Sequence, residues 1–228
     1  ALHKDGFFCP LAEMMMGETA EILADEYGIS RNEQENYALE SHRRAIEAID
    51  SGYFHDEIVP VTVRQKKEDI TFSVDEIPRR DTGPEKLAKL PPVFRKDGTV
   101  TAGTSSALCD AASALVVADE EWAAAEGYSP VAEILGYAAA TVRPDHMGLG
   151  PVASTPPALE QAGVSLQDID YIELNEAFAV QVLAVAREMG IDLSACNIHG
   201  GAVSLGHPIG ATGAKLLTTL TSILRRRK

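Results

Sequence analysis

Fourteen residues near the end of the chain, Gly200-Gly201-Ala202-Val203-Ser204-Leu205-Gly206-His207-Pro208-Ile209-Gly210-Ala211-Thr212-Gly213, hold five glycines and a proline. Glycine lacks a Cβ, so it reaches positive φ and lets the backbone come close to other groups. Such a run folds as a tight loop. It carries one titratable side chain, His207, beside Pro208, and leads into a helix starting near Ala211. The first amides of that helix favour an anion or a developing negative charge. Two readings stand: a turn with a structural histidine, or a site in which His207 performs acid–base chemistry. A dinucleotide-binding loop is a poor fit, because no G-x-G-x-x-G follows a strand and Gly148-Leu149-Gly150 runs at once into Pro151. The phosphate-cradling P-loop pattern is absent as well.

Glu173-Leu174-Asn175-Glu176-Ala177-Phe178 lies where a short strand, Tyr171 to Leu174, gives way to a helix, Ala177 to Met189. Ligand groups in α/β sheets gather at such junctions. Asn175 either caps the helix or presents an amide that orients a water or polarises a carbonyl. Thr101 to Ser106 offers four hydroxyls among small residues, fitting either a ligand chain or the entry to a strand. Met14-Met15-Met16 at a helix start, and Met147 in a glycine-rich loop, are either core filler or a flexible apolar pocket wall. No Cys or His pair has metal-ligand spacing, so no metal is expected. His42 and His55 read as helix and turn residues, and His146 as a lone loop residue.

Met16 to Tyr27 reads as a helix stopped at Gly28, and Ser30-Arg31-Asn32-Glu33 as a capping box opening a second one that ends at Ser51-Gly52. Strand-like runs follow at 58–63 and 70–74, around a turn with Arg64, Lys66 and Lys67. Residues 76–98 are rich in proline and charge and read as irregular. Beyond Val100, strands alternate with helices: Asp119 caps a helix stopped at Gly127, Val131 to Val142 reads as a long strand, Ala153 to Ala162 as a helix stopped at Gly163, and Ala211 to Arg226 as the last helix. Alternation of this kind argues an α/β domain.

The net charge is −14, from 20 basic and 34 acidic residues, which makes the chain a poor candidate for nucleic-acid binding. A hydrophobic fraction of 45% and a mean hydropathy of −0.05 describe a globular chain. No apolar run approaches the ~20 residues that span a bilayer, and no signal-peptide pattern is expected at the start. Cys9, Cys109 and Cys196 are too separated for a disulfide framework and fit a reducing compartment. The expected location is the cytoplasm, with mitochondrion and peroxisome as alternatives. The opening Ala1 and the closing Arg225-Arg226-Arg227-Lys228 are read as the ends of a piece of something longer.

Four separated stretches resemble the thiolase family, the CoA-dependent acyltransferases that make or cleave 3-ketoacyl-CoA. They are Met16-Gly17-Glu18-Thr19-Ala20-Glu21, Thr101 to Ser106, Asn175-Glu176-Ala177-Phe178-Ala179, and Asn197-Ile198-His199-Gly200-Gly201-Ala202 through Gly206-His207-Pro208-Ile209-Gly210. The resemblance implies an α/β fold, a partial thiolase-like αβαβα layered sandwich with a helical loop domain. Residues 1–100 would form the loop domain, 101–127 the last strand and helix of the N-terminal core domain, and 128–228 an incomplete C-terminal core domain.

By the same resemblance, His207 helps activate a nucleophilic cysteine and lines an oxyanion hole, and Asn175 holds that hole's water. Ser106 lies near the pantetheine arm, and Met16, Met147 and Phe178 line the acyl pocket. Arg79, with Arg80 and Lys86, offers a local positive patch for the phosphates of CoA. Acyl-CoA and CoA are the implied partners, CoA being a substrate rather than a permanently bound cofactor, and a homo-oligomer, dimer or tetramer, is implied. Thr104, where many biosynthetic members carry asparagine, and Met15, where they carry histidine, lean towards the degradative type.

The family's nucleophilic cysteine precedes the Met-Gly-x-Thr-Ala-Glu motif, and its second, in Cys-x-Gly, lies well beyond Gly-His-Pro. Neither matches Cys9, Cys109 or Cys196. The expectation is an acyltransferase chain that is inactive alone. The alternatives are a non-catalytic CoA-binding or scaffold subunit, and a ketoacyl-synthase relative, which would use two histidines.

Overall fold

The computed structural model describes residues 2–66 and 68–226. Ala1, Lys67 of the charged turn, and Arg227 and Lys228 of the basic tail lie outside the described residues. After a wide helical turn, Leu2–Phe7, the two-residue strands β1 (Phe8–Cys9) and β2 (Met14–Met15) pair antiparallel. The chain then enters α1 (Met16–Glu26), where Glu18 accepts the Met15 amide at 2.6 Å and satisfies one of the orphan donors of the first turn.

Helix α2 (Arg31–Asp50) opens on the capping box read from the sequence. Ser30 N donates to Glu33 Oε2 at 2.8 Å, and Glu33 N donates to Ser30 Oγ at 3.3 Å. Its inner face is built from small side chains, with Ala38, Ser41, Ala45 and Ala48 buried, so another backbone can approach closely. The expected strands at 58–63 and 70–74 form a hairpin shifted by a few residues, β3 (Val61–Arg64) with β4 (Asp69–Phe72), Val61 opposite Phe72 and Arg64 opposite Asp69. The irregular stretch after it contains one short helix, α3 (Pro84–Leu87).

Helix α4 (Glu120–Ala125) is capped as expected, Asp119 accepting the Trp122 amide at 3.0 Å. Helices α5 (Gly150–Ala162) and α6 (Ala179–Met189) end at Gly163 and Gly190. Helix α7 (Ala202–Leu205) is one turn inside the glycine-rich run, and α8 (Thr212–Arg226) follows it.

Two strand expectations need correction. Val131 to Val142 forms no ladder among the described residues, and Tyr171 to Leu174 makes one parallel bridge, Ile172 with Cys196. Apolar, β-branched residues favour extended backbone, but a strand also needs a neighbour to take its amides and carbonyls. The 131–142 stretch stays extended and exposed, with Ile134 61% and Tyr137 79% accessible.

The core joins the ends of the chain. Leu23 and Ala24 of α1 pack with Val100 and with Val180 and Ala184 of α6, while Phe94, Leu149 and Phe178 close the edges. Ala45 and Ala48 of α2 pack with Leu205, and Ala38 with Leu87 and Val203, so α2 lies directly on the glycine-rich run.

Candidate active site

The hydroxyl-bearing loop, the Asn175 segment and the glycine-rich loop meet at one place. Segment 104–107 runs antiparallel beside 177–179. Ser106 N donates to the Ala177 carbonyl at 3.0 Å, and Ala179 N donates to the Thr104 carbonyl at 2.8 Å. One residue on, the Ala107 carbonyl accepts the His207 amide at 3.0 Å. Ser106, Asn175, Phe178 and His207, distant in sequence, are therefore brought together by main-chain bonds.

His207 is held at both ring nitrogens. Nδ1 lies 2.7 Å from Thr212 Oγ1, and that hydroxyl spends its own proton on the Pro208 carbonyl at 3.0 Å. The hydroxyl must therefore accept, which assigns the ring proton to Nδ1 and leaves a lone pair on Nε2. Asn175 Nδ2 lies 3.4 Å from Nε2 and is oriented to donate to it. Burial, and then the charge of Lys215, lower the His207 pKa below the ordinary histidine value, so the ring is neutral at pH 7. The arrangement is a half-buried base with its lone pair beside an amide donor.

Asn175 does not cap α6. The helix begins after Phe178 without a side-chain cap, and Asn175 Oδ1 is buried without a hydrogen-bond partner among the described residues. A buried orphan acceptor costs about 1–3 kcal/mol, which favours a ligand-facing role over a merely structural one.

Sequence reasoning gave no role to the residues that hold these two in place. Glu176 is fully buried. Its Oε1 accepts from Tyr37 Oη at 2.6 Å and Asn197 Nδ2 at 2.9 Å, and its Oε2 from Ser41 Oγ at 2.8 Å and Val203 N at 2.9 Å. One carboxylate thus ties α2 to the glycine-rich loop. A Cβ on Gly201 would sit 2.2 Å from Glu176 Cδ, so only glycine fits there. Asn197 adopts φ 49, and its side chain pairs with both the amide and the carbonyl of Leu174 at 2.8 Å, standing in for a neighbouring strand. The available signal was an acidic residue set between Asn175 and an apolar helix, where a buried charge must find partners.

Lys215 of α8 donates to the Gly206 carbonyl at 3.2 Å, gripping the residue before His207. Gly206 itself has φ 88 and is pinched between Cys109 and Ile77, whose Sγ and Cδ1 would lie 2.5 and 2.7 Å from a Cβ. Behind this loop, burial above all, with the Glu176 charge next, pushes Glu173 up to about 8.

Phe178 meets Phe94 edge-to-face at 5.9 Å, and Gly17, next to Met16, packs on the same Phe94 ring. Met147 sits on the turn Pro144–Leu149, where Gly148 packs against Leu23 and Gln181. Arg79 is not joined to this group: its amide donates to His42 Nδ1 at 3.2 Å and its side chain is exposed. Arg80 and Lys86 are committed to Asp50 and Asp81, at 2.6 and 2.5 Å, so the positive patch is largely neutralised. Among the described residues no cluster of three His, Cys, Asp or Glu could hold a metal ion, and no helix is long and apolar enough to cross a membrane.

The family model described as thiolase, N-terminal domain, matches residues 1–121, and that described as thiolase, C-terminal domain, matches 128–228. The chain belongs to the thiolase family. The acetyl-CoA acetyltransferase of Escherichia coli is 49% identical over 224 residues, covering 98% of this chain and 57% of that relative. The crystal structure of the Bacillus anthracis acetyl-CoA acetyltransferase superposes with a TM-score of 0.95 at 48% identity, covering 97% of this chain and 56% of that one. Human mitochondrial 3-ketoacyl-CoA thiolase in complex with CoA superposes with a TM-score of 0.89 at 43% identity, covering 97% and 55%. The fold is therefore the thiolase-like α/β fold, of which the chain spans a little over half the length.

Proposed function

We propose that this thiolase chain contributes the histidine–asparagine half of an acyl-transfer site. That site acts on 3-ketoacyl-CoA and CoA through a cysteine acyl-enzyme. The observation that carries the reading is the Nε2 lone pair of a neutral His207 beside the Asn175 amide, with a buried Asn175 oxygen still unpaired. In the proposed step, Nε2 takes the proton of a cysteine thiol and the thiolate adds to the 3-keto carbonyl of 3-ketoacyl-CoA. The C2–C3 bond then breaks, the acyl group staying on the cysteine and acetyl-CoA leaving as its enolate, which recovers that proton before CoA takes up the acyl group. Until then the Nε2–H, with a water held by Asn175, stabilises the oxyanion. CoA enters as a substrate, with no permanently bound cofactor.

The nucleophile is none of this chain's three cysteines. Burial above all pushes Cys196 up to about 12 and raises Cys109, leaving both as thiols. The Cys9 position matches no catalytic cysteine of the family. Ser106 serves the pantetheine arm, Met16, Met147 and Phe178 the acyl pocket, and the exposed Arg79 the CoA phosphates. Residues 1–100 act as a loop domain, 101–127 as the end of the N-terminal core domain, and 128–228 as the C-terminal core domain. The working form is a dimer or tetramer, in the cytoplasm or, alternatively, in the mitochondrion or peroxisome.

The test gives the 228-residue chain acetoacetyl-CoA and CoA. Thiolysis is followed by absorbance and CoA binding by calorimetry. CoA binding without turnover is expected. Turnover would show that no further cysteine is needed, and absence of CoA binding would remove the site assignment.

A further inference from the structure

The turn Pro144–Leu149 is bent at its middle. The backbone leaves helical geometry at His146, φ −117 and ψ 24, so two half-turns join there and Met147 begins the second. The His146 ring is only 13% exposed, and both of its nitrogens face carboxylates: Nδ1 lies 2.8 Å from Asp145 Oδ1 and Nε2 2.7 Å from Glu26 Oε2 of α1. Carboxylates accept and do not donate, so both ring nitrogens must carry a proton, and only an imidazolium has two. Arg143 completes the group, pairing with Asp145 at 2.6 Å. On the other side of Met147, Gly148 fits so closely that a Cβ would lie 2.8 Å from Leu23 Cδ1 and 2.9 Å from Gln181 Cγ. Met147 is thus fixed between an ionic clasp and a packed contact.

We propose that His146 is the positioning residue for the Met147 wall of the acyl pocket: as an imidazolium gripping Asp145 and Glu26, it fixes the turn that carries Met147 against α1. The pocket in this statement rests on the role proposed above for Met147, while the clasp stands on its own geometry.

The charged groups facing the ring are Asp145 and Arg143 from its own turn and Glu26 from α1. Helix α6 faces the turn with uncharged Gln181. Farther along that helix, Arg187 pairs with Glu33, and Glu188 accepts from the Tyr27 hydroxyl. The carboxylate of α5, Glu160, lies about 15 Å along its helix from Gly150. Asp145 first and then Glu26 hold the His146 pKa above the ordinary histidine value, burial opposing them. A raised folded-state pKa means the clasp is complete below about 6.5 and is released as pH rises through the raised value.

The experiment is a pH titration of the 228-residue chain by NMR, reading the His146 ring and a labelled Met147 methyl. His146 is expected to titrate above about 6.5, with the Met147 methyl moving at the same midpoint. Glu26→Gln is expected to lower that midpoint, and His146→Gln to leave the Met147 signal flat with pH. His146 titrating at or below the ordinary value, or a Met147 methyl that ignores its titration, would overturn the proposal. Failure of the pocket reading looks different: the Met147 methyl would follow pH but not respond to acetoacetyl-CoA.

Discussion

Helix α6 and the stretch 129–142 are both apolar, yet their fates in the fold are opposite. Val180, Val182 and Val185 are fully buried, whereas Ile134, Leu135 and Tyr137 are 61, 56 and 79% exposed. A helix satisfies its backbone internally and needs only one face covered, and α1 covers that of α6. An extended segment needs neighbours on both edges before its side chains can pack. The helical part of this chain, with the loops that carry His207 and Asn175, is therefore packed on itself, while the extended part keeps its larger side chains exposed and touches α5 through Gly136 and the Tyr137 amide.

The strongest challenge to that contrast is Glu176→Ala, inside the packed region. It would take the Glu176 acceptor from the Tyr37 and Ser41 hydroxyls, the Asn197 amide and the Val203 N–H, leaving Ser41 its bond to Ser204 and Asn197 its bond to the Leu174 carbonyl. The expected loss is about 4 kcal/mol, close to the whole stability of a small domain, measured by urea unfolding. A loss under about 1 kcal/mol would mean the hub does not hold α2 to the glycine-rich loop.

A matched pair then compares the two regions directly. Val180→Ala leaves a cavity in the core and is expected to cost about 2 kcal/mol. Val116→Ala, at a residue 97% exposed, is expected to change stability by no more than about 0.5 kcal/mol. Equal costs would erase the distinction between a packed and an extended half.

The same contrast governs what the sequence revealed. The Ser30–Glu33 capping box, the Asp119 cap and the stops at Gly163 and Gly190 all lie where expected, because each is a local bond or a local backbone preference. The expectation of a long strand over 131–142 fails because the apolar, extended pattern is local, whereas a ladder needs a paired neighbour that the described residues do not supply. The candidate site was half legible. His207 and Asn175 stand out by residue type, and the four motifs that resemble thiolases carried their pairing. Glu176, Asn197 and Lys215 act through contacts 21 or more residues away, or on a backbone carbonyl, which no spacing in the sequence announces. His146, read as a lone loop residue, gains its second carboxylate from Glu26, 120 residues earlier. Asn175 as a cap was the natural local reading, and it fails because α6 starts three residues later than a capped helix would.

The central claim is that the neutral His207 ring and the Asn175 amide together face the reacting carbonyl. The direct measurement follows the His207 ring nitrogens and the Asn175 side-chain amide by NMR as acetoacetyl-CoA is added to the chain. The account predicts that both signals shift together with one saturation curve, from a starting ring protonated at Nδ1. Saturating ligand that leaves His207 and Asn175 unmoved would contradict it.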